Sequence, residues 1–417
     1  MSPSRKRVAV IGAGIVGCAI AYELRKRGFA VTLIDRDAPG QGCSFGNSGA
    51  ISPASIVPLA MPGILKTVPG MMMDPESPLF LPLGYLPQAT PWLMRFVASA
   101  TPEGVANAAK RLASLHGGAT ELHRQLTQEV GVPELFLQKG HLHLYPDDAA
   151  LAKDATGWRM REAFGFKLDR LDRGSITDLE PLIGERYQIG IFLADHGCIV
   201  NPFRYVQAIA RAYANAGGKM LHGDVRSIQR DRGQWQVSLA SQAEALTFDE
   251  LVVATGAWSK SLLKPLGITL HVESQRGYHV QFDGHADTIQ RTVVLADRKI
   301  FMTPMEEGLR VGGTVEIGGL TREANERRAA ILARIAQENF PRLQSVPMRS
   351  WMGHRPCMPD SVPVVGAAEG HPGLWIAVGH GHLGLTDSVT TAKKIGDLID
   401  VVDSASSRAR LRSTPQR

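Results

Sequence analysis

The apolar run Val8 to Ile11 is rich in β-branched residues, the pattern of a buried strand. A helical pattern follows, with Val16, Ile20 and Leu24 on one face and Gly28 placed to end it. "FAVTLID" is a second apolar strand and stops at Asp35. Farther on, "DVRSIQR" and "QWQVSLA" alternate polar and apolar positions as an antiparallel meander does. "FDELVVATGAWS" is another buried strand, ending at Ala254, Thr255 and Gly256. "GHLHLYP" and "VESQRGYHVQF" read as strands, and "KIFMTPMEEGLRVGGTVE" as a hairpin. "VGHGHLGLTDSV" carries a glycine-rich turn and then a helix predicted to begin near Leu385.

Composition changes this picture in three places. A chain of 417 residues exceeds the usual size of one core, so two domains are expected. The net charge of +6 is a small excess of 46 basic over 40 acidic groups. Arginines in the tail "SASSRARLRSTPQR" supply much of it, and that tail reads as solvated and disordered, with contact to an acidic membrane surface as the alternative. Nothing in this balance points to nucleic acid. Cys18, Cys43, Cys198 and Cys357 form no C-x-x-C pair, which fits free thiols in a reducing compartment. The run Val8 to Ala21 follows three basic residues as a signal peptide would, but it is short for a bilayer span and lacks an obvious cleavage site. The expectation is a cytoplasmic protein, with peripheral contact to the inner membrane left open.

The first strand runs into Gly12-x-Gly14-x-x-Gly17, and Ile15 and Val16 open the helix. Gly12 permits a tight turn, Gly14 lets backbone approach a pyrophosphate, and Gly17 allows close helix–strand packing. Free N–H groups at the helix start suit phosphate, and Asp35 suits a ribose hydroxyl. A simple NAD domain continues with a short αβ repeat. Here a long loop follows, "RDAPGQGCSFGNSGAISPAS", carrying Arg36, Cys43, Ser44, Asn47, Ser48, Gly49 and Ala50. Its N–H groups and hydroxyls suit the longer ligand FAD. Val225, Ala254, Thr255, Gly256 and Trp258 complete the expected cofactor contacts from the middle of the chain. No second glycine triplet is present for a separate NAD(P)H domain, so the substrate is expected to be the reductant. The fold class is α/β (α+β overall), and this part looks like a Rossmann-type FAD-binding domain of glutathione-reductase type.

Taken in order, "VIGAGIVG", "CSFGNSGAISP", "VVATGAWS", "RGYHV", "HRPCMPDSVPVVG" and "GHGHLGLT" resemble the D-amino-acid oxidase superfamily, closest to the bacterial FAD-dependent D-amino-acid dehydrogenases. Glycine and sarcosine oxidases are neighbouring groups. The resemblance implies a discontinuous flavin domain from 1–51, 179–265 and 351–402, and a discontinuous substrate domain from 52–178 and 266–350 built on a mixed antiparallel β-sheet, ahead of a basic tail at 403–417. Some sarcosine oxidases hold flavin covalently through a cysteine before the Pro-Asp pair. That position is Gly353 here and Cys357 is out of register, so non-covalent FAD is expected.

The resemblance also assigns chemistry. Arg355 would grip the substrate carboxylate through two parallel hydrogen bonds. Its rival role is a salt bridge to Asp360. Tyr278 would donate a further hydrogen bond to the carboxylate, the alternative being a structural ring. His279 should point to the other face of the strand from Tyr278, and Arg276 shares Tyr278's side as a reserve anion ligand. His354 and His279 are candidate substrate contacts, His380 and His382 candidate ring or substrate contacts, and Arg355, Tyr278 and His382 are the catalytic candidates, Arg355 also touching the cofactor. Gly381, His382, Leu383, Gly384, Leu385 and Thr386 would bring a helix N-terminus to the flavin, where reduction places negative charge. Hydride would leave Cα for the flavin, and the imine would hydrolyse to a 2-oxo acid and ammonia. No residue stands out as the base for the amine. The electron acceptor is expected to be a quinone or carrier. The rivals are an O2-using oxidase of glycine, sarcosine or a D-proline analogue, and a non-enzymatic flavin subunit of a redox complex. The stretch 56–87, with Met71 to Met73, reads as a cover over the site or an acceptor-docking surface.

Overall fold

The computed structural model describes residues 6–64, 77 and 79–412, the last nine of these as helix backbone alone. Met71 to Met73 lie outside the described residues. A six-stranded sheet runs, edge to edge, through Lys219–His222, Ala30–Asp35, Arg7–Ile11, Glu250–Val253, Leu374–Val378 and Val364–Ala367. Its central pairings are parallel, with Val8 beside both Val31 and Glu250. Such strands are covered on both faces, which is why Val8, Val10, Val252 and Val253 are fully buried. On one side the helix Ile15–Lys26 packs between helices Pro202–Asn215 and Gly384–Arg412. On the other lies the meander Val225–Asp231, Gln234–Leu239 and Leu246–Phe248, with Trp235 and Val237 at its core.

A nine-stranded mixed sheet forms the second layer. Its first strands are Met348–Cys357, Glu273–Asp283 and Gly308–Ile317. One face of this trio carries Tyr278, Val280 and Phe282 into a core shared with the helix Glu326–Asn339. Two strands sit in this sheet that the sequence reading placed with the flavin segments, Ile189–Leu193 and Met348–Cys357. Both pair antiparallel with partners far away in sequence, which no local pattern reveals. The tail expectation also changes. The last helix continues to Arg412 through Ala405, Arg408, Ala409 and Leu411, all strong helix formers.

Candidate active site

The glycine turn lies against the end of the Glu250–Val253 strand. Gly12 has φ +107°, and a Cβ there would stand 2.4 Å from the Ala254 carbonyl oxygen. Gly17 packs against Gly12 and Ala254, as its spacing predicts, and does not reach the cavity. Asp35 accepts from the Ala13 N–H and, at 3.0 Å, from that of Asp37. Ser44 Oγ accepts from the Ile15 N–H at 2.9 Å, so the long loop is tied to the helix start.

A cavity of about 340 Å³ opens between these elements. Gly12, Gly14, Ile15, Val16, Asp35 and Arg36 line one end. Cys43, Ser44 and Asn47 enter from the loop, and Val225, Ala254, Thr255, Gly256 and Trp258 from the middle of the chain. Gly381, Gly384 and Leu385 close the other end at the start of the C-terminal helix. These residues fit a flavin dinucleotide: a glycine turn against a helix N-terminus, an acid at the strand end, and a second helix N-terminus far along the same cavity. Arg36 stacks over the Trp258 ring at 4.5 Å, and Trp258 meets His354 edge-on at 5.4 Å. His354 therefore faces the cofactor cavity, and burial lowers its pKa to about 4. Ser48, Gly49, Ala50, Leu383 and Thr386 stand behind the lining. Thr386 Oγ1 accepts from Ser52 N at 3.2 Å and donates to the Ala50 carbonyl at 3.3 Å, holding loop and helix together. Asp224, Arg226 and Ser261 also line the cavity. Sequence reasoning missed them, although each neighbours an expected contact.

Arg355 pairs with Gln275 across the sheet, and Gly353 with Gly277. Opposed residues share a face, so Arg355, Gly277 and His279 lie on one side and Tyr278, Arg276 and His354 on the other. The guanidinium lies flat across Gly277, where a Cβ would stand 2.2 Å from Cζ. It is half-buried, and its one hydrogen bond is to the Thr314 carbonyl at 3.3 Å. No carboxylate pairs with it among the described residues. Asp360, the rival partner, instead accepts from Val362 N at 3.1 Å and lies 3.9 Å from Arg111.

The loop packs on the Arg355 face. His279 Nδ1 donates to the Gly46 carbonyl at 3.0 Å and its ring stacks on Trp351 at 5.3 Å. Arg310 donates to the Asn47 carbonyl at 2.6 Å and to Gln281 at 2.8 Å. His382 is exposed yet surrounded by protein groups, and neither it nor Arg355 is among the residues lining the cavity. Burial first, then Arg355, lowers its pKa to about 4, and His279 falls to about 3 from burial and Arg310. Both imidazoles are neutral, and of the arginines on this face Arg310 is bonded to the loop and Arg349 to Asp283 and Glu307, which leaves Arg355 without an acid. Gly353 leaves no room for a linking cysteine, because a Cβ there would stand 2.0 Å from the Trp351 ring.

Tyr278 does not join them. Its hydroxyl donates to Glu316, and burial plus that carboxylate raise its pKa to about 12. Arg276 is spent on Glu316 at 3.0 Å and on the Arg322 and Glu323 carbonyls. The strand keeps its alternation at this point, since the bulge near Tyr278 is in the pairing with Gly308–Ile317. Both side chains consequently turn into the core.

A family model described as FAD dependent oxidoreductase (DAO) matches residues 7–398. A D-amino-acid oxidase of Bradyrhizobium diazoefficiens is 37% identical over 404 residues, 95% of this chain and 96% of the relative. A D-amino acid dehydrogenase of Rhizobium rhizogenes is 30% identical over 399 residues, 94% of this chain and 95% of the relative. Glycine oxidase from Geobacillus kaustophilus shares the fold, with a TM-score of 0.74 at 20% identity and 95% of each chain covered. The dinucleotide cavity and these matches agree: the chain belongs to the FAD dependent oxidoreductase family and its cofactor is FAD.

Proposed function

We propose that the protein oxidises a D-amino acid at its C–N bond. The observation that carries this reading is Arg355, a half-buried guanidinium without a carboxylate partner among the described residues, turned toward the flavin loop. A substrate carboxylate is the partner its geometry suits, and two parallel hydrogen bonds would fix the substrate's orientation. Bound FAD supplies the two-electron acceptor. The remaining work falls to the chain. Arg355 holds the acid, while the loop packed on Trp351 and His279 shields that face from water. His382 has no hydrogen bond to the described protein and is neutral, so it is the candidate acceptor for the proton the amine must lose.

The test is anaerobic flavin bleaching across D- and L-amino acids, glycine, sarcosine and proline analogues. Rapid bleaching by D-amino acids supports the reading, and bleaching by L-amino acids alone overturns it. Two readings of the acceptor follow from the relatives, O2 as in an oxidase and a quinone or carrier as in a dehydrogenase. Peroxide formed stoichiometrically in air selects the first. A peripheral membrane role for the second has one support: Leu83, Leu86 and Met94 are exposed beside Arg95 on and before the helix Leu86–Ser99. No helix among the described residues is long and apolar enough to cross a membrane. Co-flotation with anionic vesicles tests the contact.

A further inference from the structure

The first turn of the C-terminal helix holds a pair of groups that the amino-acid chemistry leaves unused. Asp387 Oδ1 lies 3.2 Å from His116 Nε2, and the two side chains are 1% and 0% exposed. Neither carboxylate oxygen and neither His116 ring nitrogen has a hydrogen bond, so the two groups stand close without bonding. His116 ends the helix Pro102–His116, and Asp387 begins the helix whose Gly384 and Leu385 line the flavin cavity. Two helix ends of opposite polarity thus meet at one acid and one base.

The surroundings offer no permanent countercharge. His123 bonds Tyr205 at 3.0 Å and the Thr386 carbonyl at 3.3 Å, and His380 bonds Thr391 at 3.1 Å. His382 and His196 complete the ring of titratable neighbours, with the Pro53 carbonyl beside His116. All four of these imidazoles are held neutral by burial. An ionised Asp387 would be a bare charge in a dry interior. Burial drives its acidity well below that of a free carboxyl and keeps His116 uncharged down to about pH 3. The helix fields pull the other way, since a C-terminus favours His⁺ and an N-terminus favours a carboxylate. Burial outweighs the helix fields and leaves a protonated Asp387 beside a neutral His116, two residues from Leu385 at the cavity.

We propose that Asp387 is a positioning residue behind the flavin, held as a protonated acid beside neutral His116, so that the cofactor-facing helix end stays free of negative charge when the flavin is reduced. A carboxylate in that turn would repel the reduced ring and lower its reduction potential. An acid in the same place does not, and the helix N-terminus then acts on the flavin unopposed. The inference rests on the flavin site described above; failure of the wild-type protein to bind FAD would fail that site rather than this pair.

The experiment is an oxidised-minus-reduced infrared difference spectrum of the FAD-loaded protein. A protonated-carboxyl band is expected, shifted by D2O and by ¹³C-aspartate labelling and missing in Asp387→Asn. The isotope arm uses wild-type protein, so it stands even where the variant fails to fold. The midpoint potential of the bound flavin is then titrated against pH. Raising pH removes the Asp387 proton and puts a carboxylate beside the reduced ring, so the wild-type potential takes an extra downward step that Asp387→Asn lacks. Absence of the labelled band, or coincident potential–pH curves for the two proteins, overturns the proposal.

Discussion

The two faces of the strand Glu273–Asp283 put two arginines to opposite uses. Arg276 is fully buried, paired with Glu316 and surrounded by carbonyls, and Tyr278 bonds the same carboxylate. On the reverse face Arg355 lies over Gly277 from the neighbouring strand, with one carbonyl contact and no acid. The pleat decides which is which: Arg276 and Tyr278 differ by two positions, and the register sets Arg355 opposite Gln275. A paired cation fixes a core, while an unpaired one beside Cys43 of the flavin loop is available to a ligand.

The largest effect should come from removing the unpaired cation. Arg355→Ala should keep FAD bound and lower kcat/KM by about two to four decades, the equivalent of about 3–5 kcal/mol for a lost buried ion partner. Stopped-flow flavin reduction measures it, and wild-type kinetics on every amino acid would end the anchor role. The opposite face should answer in stability. Glu316→Gln strands Arg276 without its countercharge, at a cost of about 3 kcal/mol. Urea unfolding should show that loss, while the folded fraction reduces flavin at close to the wild-type rate. A catalytic collapse without a stability loss would dissolve the contrast between the faces.

How much of this was legible in the sequence depends on the range of the interactions. The glycine turn, Asp35, the long loop and Thr255-Gly256 are local signals, and the structure gathers them around one cavity. Arg355 stood out because an isolated cation among prolines is rare. Tyr278 misled because alternation places it relative to His279 but does not say which face the flavin loop covers. That choice is made by Gly46 and Asn47, more than two hundred residues away, which dock on His279 and Arg310. His116 and Asp387 were invisible for the same reason: two helix ends far apart in the chain bring them together.

Gly277 sharpens the comparison from beneath Arg355. Gly277→Ala would place a methyl 2.2 Å from the guanidinium carbon, so the arginine must move. Overpacking of this kind costs about 1–3 kcal/mol, which here appears as about one to two decades in kcat/KM. The expected signature is a raised KM with FAD affinity unchanged. Unaltered kinetics would mean that Arg355 works from another rotamer.

Tyr278→Phe should have the smallest effect, and its direction is the sharpest check on the face assignment. The phenol donates to Glu316 and accepts from Asn325 N at 3.0 Å. Its pKa near 12 keeps the proton in place, so these bonds persist across the working range of pH. Phenylalanine preserves the packing against Val280 and Phe282 and leaves two polar groups short of a partner, a cost of about 1–2 kcal/mol. Thermal or urea unfolding should register that loss, while kcat and KM stay near wild type. If Tyr278→Phe instead raised KM as Arg355→Ala does, the phenol would be touching substrate.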